Sequence, residues 1–206
     1  MKVKICGLRT EEAVLAAEDA GADFLGFIFY GKSHRHVLPE EVRGLTKHVQ
    51  RAKTVGVFVD APLDEVNAAA DFCSLDFVQL HGHESAAYAR AVCRPVIKAF
   101  RWGDDFSAEE VNDYPAEIIL LDSFSKDAVG GTGQRFRWRE AAEETARLEK
   151  PLLVAGGIAS SNVREAEELF RPYGIDVSGS LEIEKRKSVE RIREFMAVVQ
   201  KRRIPE

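Results

Sequence analysis

Along the chain, short runs of consecutive apolar residues alternate with longer stretches in which Leu, Val, Ala and Phe recur at helical spacing among Glu, Arg and Lys. This pattern predicts strands at Val3–Cys6, Phe24–Phe29, Thr54–Val59, Phe77–His81, Val96–Phe100, Ile118–Asp122, Leu152–Ala155 and Ile175–Ser178. Between them it predicts helices at Glu11–Ala20, Pro39–Gln50, Leu63–Phe72, Ser85–Ala91, Ser107–Asn112, Trp138–Leu148 and Ser161–Phe170, with a last helix at Val189–Lys201. Thr10, Pro39 and Ser161 are the types of residue that cap or preorganise a first helical turn. Ser123–Arg135 reads as a long loop after the sixth strand.

The strands are apolar at successive positions (LGFIF, IILL, PLLVA), as expected where both faces of a parallel sheet are covered. Eight strand and helix units in 206 residues lie near the low end of the range for a (β/α)8 TIM barrel, the predicted α/β architecture. A doubly wound open sheet is the alternative. No Pro-, Gly- or Ser-rich linker divides the chain, so residues 1–206 are expected to form one domain.

Composition narrows the function. With 45% hydrophobic and 31% charged residues the chain has material for a well-buried core, and no apolar run reaches membrane-spanning length. The start, MKVKICGLR, lacks the apolar stretch of a signal peptide. A cytoplasmic protein with no membrane contact is expected. A net charge of −5 argues against a nucleic-acid partner, so an anionic ligand must meet locally placed cations and backbone N–H groups. Cys6, Cys73 and Cys93 form no CxxC pair and have no histidines at zinc-site spacing, so neither disulfides nor a metal is expected.

In a barrel of this kind the active site lies at the C-terminal ends of the strands. Chemistry-bearing residues gather there: Cys6-Gly7, Lys32 to Arg35, His81-Gly82, Asp122, Gly156-Gly157, and Asp176 to Ser180. Gly156-Gly157-Ile158 before Ser160-Ser161-Asn162 suits a phosphate, which glycine lets approach the backbone and a helix N-terminus attracts. Ser178-Gly179-Ser180 is a second small, donor-rich turn. Arg35 could hold a carboxylate through a planar two-point contact, or be a solvated loop residue. His81 could bond to a ligand or serve the structure. Cys6 and Asp122 could move protons if environment lowers the thiol pKa and raises the carboxyl pKa; alternatively Cys6 is a packing residue and Asp122 a loop cap.

KICGLR, GFIF with Ser33-His34-Arg35, VGVFV, VQLHG, LLDS, GGTG, AGGI and DVSGSLE, in this order and spacing, resemble the phosphoribosylanthranilate isomerase family. The resemblance implies a metal- and cofactor-independent Amadori rearrangement, an intramolecular aldose-ketose isomerisation in tryptophan biosynthesis. It takes N-(5-phosphoribosyl)anthranilate to 1-(2-carboxyphenylamino)-1-deoxyribulose 5-phosphate. It further implies Asp122 as general acid, Cys6 as general base and Arg35 as the anthranilate-carboxylate ligand. Gly156, Gly157, Ser178, Gly179 and Ser180 fall on the phosphate cradle, Asp176 near ribose and phosphate, and Gly131 on the loop covering the substrate. The protein is expected to act on this small molecule as a monomer or homodimer.

Three stretches depart from the family pattern. Ser33-His34-Arg35 stands where Ser-Pro-Arg is usual, and losing proline loosens a loop by roughly 0.4 to 1 kcal/mol. Ser178-Gly179-Ser180-Leu181-Glu182 replaces Ser-Ser-Gly-Val-Glu, and Glu184 to Ser188 lacks the usual glycine. A weakened phosphate seat is the expectation. The rival readings are another sugar-phosphate isomerase or epimerase on the same scaffold, and a non-catalytic binder of phosphorylated ligands.

Overall fold

The computed structural model describes residues 1–103, 105–122 and 133–201, with backbone alone for residues 133–137. Eight parallel strands close into a barrel in chain order: β1 (Lys2–Cys6), β2 (Phe24–Ile28), β3 (Lys53–Phe58), β4 (Phe77–Leu80), β5 (Val96–Arg101), β6 (Ile118–Asp122), β7 (Leu152–Ala155) and β8 (Gly174–Val177). The seam is made by β1 pairing with β8, from Lys2 opposite Gly174 to Ile5 opposite Val177. Helices α1 (Glu11–Asp19), α2 (Pro39–Thr46), α3 (Leu63–Phe72), α4 (Ala86–Arg90), α5 (Ala108–Asp113), α6 (Gly133–Thr145), α7 (Val163–Phe170) and α8 (Val189–Gln200) follow the strands in turn. The predicted barrel is the fold.

Strand alternation sorts side chains to two layers. Phe24, Val55, Ile97, Ala99, Ile118, Leu120, Leu153 and Ala155 pack together inside the barrel. Their strand neighbours Ile119, Leu121 and Val154 belong to the larger cluster shared with the helices. Both layers exclude water, which is why these strands read as apolar throughout; each such side chain contributes about 1.5–3 kcal/mol on full burial. The same period carries three polar residues inward, Lys4, Gln79 and Asp176, and it aims Cys6, His81 and Asp122 at the mouth.

Thr10 caps α1 by accepting from the Ala13 backbone N–H, and Pro39 opens α2, as predicted. Two helix ends differ from the sequence reading by four or five residues. Helix α2 stops at Thr46 rather than Gln50, because the buried Glu18 carboxylate of α1 accepts from the backbone N–H groups of Gln50, Arg51 and Ala52. A long-range acceptor thus claims donors that a continued helix would use internally. Helix α6 begins at Gly133, so residues 133–135 are helical, not loop; the polar run GQRFRWR has too weak an apolar period to announce it.

Past β8 a 3-10 turn at Gly179–Leu181 leads to a two-stranded hairpin of β9 (Glu182–Ile183) and β10 (Arg186–Lys187) that the sequence reading missed. Strands of two residues are too short to display a period. Its two turn residues, Glu184 and Lys185, have φ of 48° and 63°, the left-handed pattern for which Asn-Gly is the favoured pair. A side chain costs about 1–2 kcal/mol there. Replacing the pair by Asn-Gly is expected to raise stability by about 1 kcal/mol in urea unfolding. An unchanged midpoint would mean that the turn is not strained.

Candidate active site

At the mouth of the barrel, β1 presents Lys4 and Cys6 on one face. Neither has room unless the facing position of β2 is glycine: a Cβ on Gly26 would lie 2.9 Å from the Cys6 sulfur and 3.1 Å from the Lys4 Nζ. The Lys4 side chain is wholly buried and its ammonium donates to Asp176 Oδ1 across the seam at 2.9 Å. Burial alone would push the Lys4 pKa down, but Asp176 and the Cys6 sulfur outweigh it and the net shift is upward. Burial pushes the Cys6 thiol up; Lys4 opposes this, Asp176 adds to it, and Lys187 opposes it more weakly. Cys6 is thus a protonated thiol at neutral pH that sits against a permanent cation.

Across the mouth, Asp122 ends β6 on the inward face, with His81 Nε2 at 3.7 Å from its Oδ2. His81 Nδ1 lies 2.9 Å from Gln79 Nε2, so the amide can fix the ring's tautomer by donating to it. Gln79 is buried and, among the described residues, its Oε1 has no hydrogen-bond partner. Arg101, in register with Asp122 on the same face, adds a cation to this rim.

Glu182 of β9 is the hub of the opposite rim. Its carboxylate accepts from Arg35 Nε at 2.5 Å and Arg35 Nη2 at 3.0 Å, from Lys187 Nζ at 2.6 Å, and pairs with His34 Nε2 at 3.0 Å. Burial would raise its pKa, but the bonds from Arg35, Lys187 and His34 prevail and hold it at about 2. The stem of Arg35 crosses Gly7, where φ is +83° and a Cβ would collide with it, so the glycine after Cys6 brings the guanidinium to the thiol's side of the mouth. His34, standing where the family pattern has proline, fastens this loop through Glu182 instead of stiffening its backbone.

The two glycine- and serine-bearing turns adjoin. Gly156 and Gly157 have φ of 85° and 71°, which glycine adopts without strain. Helix α7 starts at Val163, two residues later than the predicted start at Ser161, because Asn162 takes the N-cap position. Asn162 also braces the loop: its Oδ1 accepts from the Ala159 N–H and its Nδ2 donates to the Gly157 carbonyl. The Ser180 hydroxyl donates to the Ile158 carbonyl at 2.6 Å, tying one turn to the other, and the Ser178 hydroxyl donates to the Cys6 carbonyl at 2.9 Å. Both serines therefore spend their donors on the scaffold, leaving backbone N–H groups as the donors for an anion.

Of the residues singled out from sequence, Cys6, Arg35, Asp176, Ser178 and Gly179 gather on one side of the mouth, His81 and Asp122 on the other, and Gly156, Gly157 and Ser180 on the adjoining turns. Gly131 lies outside the described residues. Sequence reading missed Lys4, Gln79, Glu182 and Lys187. Lys4 and Gln79 carry a legible signal, since each stands two positions before a residue at the mouth and so shares its face. Glu182 and Lys187 depend on the hairpin and carry none.

Residues 3–198 match the family model of N-(5'-phosphoribosyl)anthranilate isomerase. A relative of that name from Geobacter sulfurreducens is 46% identical over 198 residues, which cover 95% of this chain and 97% of the relative. The phosphoribosyl anthranilate isomerase of Thermus thermophilus has a crystal structure that superposes with a TM-score of 0.85 at 34% identity, covering 98% of this chain and 99% of that one. A phosphoribosyl anthranilate isomerase solved in complex with reduced 1-(o-carboxyphenylamino)-1-deoxyribulose 5-phosphate superposes with the same TM-score of 0.85, at 31% identity and the same coverage. The chain belongs to the N-(5'-phosphoribosyl)anthranilate isomerase family.

Proposed function

We propose that this protein isomerises N-(5'-phosphoribosyl)anthranilate to 1-(2-carboxyphenylamino)-1-deoxyribulose 5-phosphate in tryptophan biosynthesis, as a cofactor-independent intramolecular oxidoreductase. The observation that carries the reading is the placement of one thiol, Cys6, and one carboxyl, Asp122, on inward faces at the C-terminal ends of strands of the same barrel. The rearrangement needs one acid and one base. Asp122 gives its proton to the furanose ring oxygen as the C1–O bond breaks, and the anilino nitrogen supplies the electron pair of the resulting Schiff base. The cationic C=N acidifies the neighbouring C2–H. Cys6, as thiolate, takes that proton and the C–H pair becomes the C1=C2 bond of the enolamine; C1 then gains a proton while the C2 hydroxyl loses its own, which leaves the C2 ketone.

Arg35 holds the anthranilate carboxylate. Two of its donors already serve Glu182, which fixes the plane of the guanidinium and orients the rest. The phosphate sits at Gly156-Gly157 and Ser178-Gly179-Ser180, with the α7 N-terminus behind the first turn. Gly131, outside the described residues, is assigned to substrate binding by the family resemblance alone, and the whole chain acts as one barrel domain in the cytoplasm. Among the described residues no helix is long and apolar enough to cross a membrane.

The test is turnover of the named substrate by purified protein, followed through the fluorescence of its anthranilate group. No turnover would refute the assignment. In the same assay Arg35→Ala is expected to raise KM about 10- to 100-fold, the range for losing hydrogen bonds between charged groups. A normal KM would remove Arg35 from carboxylate binding.

A further inference from the structure

A lysine ammonium without any solvent contact, inside a barrel filled mainly by Val, Ile, Leu, Phe and Ala, is not explained by stability. Buried ion pairs are commonly matched or bettered by apolar side chains of similar volume. Lys4 and Asp176 also pair at positions whose neighbours in the same layer are apolar. What distinguishes Lys4 is its other neighbour. The Lys4 nitrogen and the Cys6 sulfur both crowd the space where a Gly26 side chain would stand, at 3.1 Å and 2.9 Å from it.

We propose that Lys4 is a positioning residue for the reaction: its ammonium, held in place by Asp176, sets the ionisation of Cys6 by stabilising the thiolate that accepts the substrate's C2 proton. The proposal rests on the reading of Cys6 as the base. Lys4 itself keeps its proton throughout; only the C2 proton moves, from carbon to sulfur. Asp176 is then the counter-ion that lets a cation live in the barrel.

Among the described residues, the charged groups that act on the sulfur come from three strands. Lys4 lies on its own strand, Asp176 on β8 and Lys187 on β10, while β2 contributes only Gly26 opposite it. Arg35 crosses the following Gly7, and its charge and that of Lys187 are both met by Glu182. Lys4 favours the thiolate, as Lys187 also does, while Asp176 opposes it.

The experiment uses the full chain with Cys73→Ala and Cys93→Ser, so that Cys6 is the sole thiol. Two curves are recorded for each variant: thiolate ultraviolet absorbance against pH without substrate, and kcat/KM against pH. Lys4→Met is expected to move the thiolate midpoint up by at least about one pH unit and the rising limb of kcat/KM by the same interval. At neutral pH the rate then falls at least about tenfold, since one unit is a tenfold change in thiolate. Lys4→Arg is expected to restore most of both. Should Lys4→Met fail to fold with Asp176 unpaired, Lys4→Met/Asp176→Asn removes both charges, and a smaller upward shift is expected. A midpoint that stays put in a folded variant overturns the role of Lys4. A midpoint that moves while the rate limb does not overturns Cys6 as the base.

Discussion

Replacing Cys6 with serine is expected to lower kcat at least about 100-fold with a much smaller change in KM, and Asp122→Asn to do the same. Serine keeps the size and the hydrogen-bonding capacity of the site but cannot ionise near neutrality, so only the proton-accepting role is removed. Burial holds the Cys6 thiol above its ordinary pKa, so the working thiolate is a minor species at pH 7. The wild-type rate should therefore climb with pH through the neutral range, by up to tenfold per unit, and Cys6→Ser should abolish that climb. In Asp122→Asn the side-chain amide retains the contact with His81 but has no acidic proton to give. Stopped-flow turnover separates the step from product release; a kcat within a few-fold of wild type for either variant would take that residue out of the reaction.

Glu182→Leu is the substitution with the largest expected cost to the fold, about 3–5 kcal/mol, because it leaves the nearly buried Lys187 ammonium and the partly buried Arg35 without their carboxylate. Urea unfolding at pH 7 measures it. The pH dependence provides an internal control. In the folded protein the Glu182 pKa is lowered from 4.5 to about 2, so its stabilisation is fully present above about pH 4.5 and is lost as pH falls through 2. The gap between wild type and Glu182→Leu should narrow over that interval. A loss below about 1 kcal/mol at pH 7, or a gap that widens in acid, would show that Lys187 and Arg35 do not depend on this carboxylate. KM should also rise, because Arg35 loses the bonds that aim it.

The barrel was legible in the sequence because every strand lies between two apolar layers, and runs such as IILL and PLLVA state that directly. The ends of elements were legible only where the signal is local. Thr10 and Pro39 announce their helices by their own side chains, whereas the stop of α2 at Thr46 is imposed by Glu18, which is near in space and remote along the chain. The candidate site divides in the same way. Cys6, Asp122, His81 and the paired glycines stand at strand ends and follow from the barrel alone. Glu182 as the partner of Arg35 could not be read, since it requires a hairpin of two-residue strands turned through left-handed Glu184 and Lys185. The expected looseness from His34 is answered in the structure by that same carboxylate, which holds the histidine ring.

The seam between β1 and β8 has a consequence for how the molecule comes into being. Two of its bonds, Lys4 to Asp176 and Ser178 to the Cys6 carbonyl, each join residues 172 apart. On the ribosome the first strand emerges long before the eighth exists, so a growing chain holds an ammonium with no anion to meet it and a cysteine with no settled surroundings. Closing so long a loop costs only about 1.2 kcal/mol more than closing one a quarter its length. Reactivity therefore arrives all at once, when the final strand docks, and a chain cut short before Gly174 has no assembled centre to misuse.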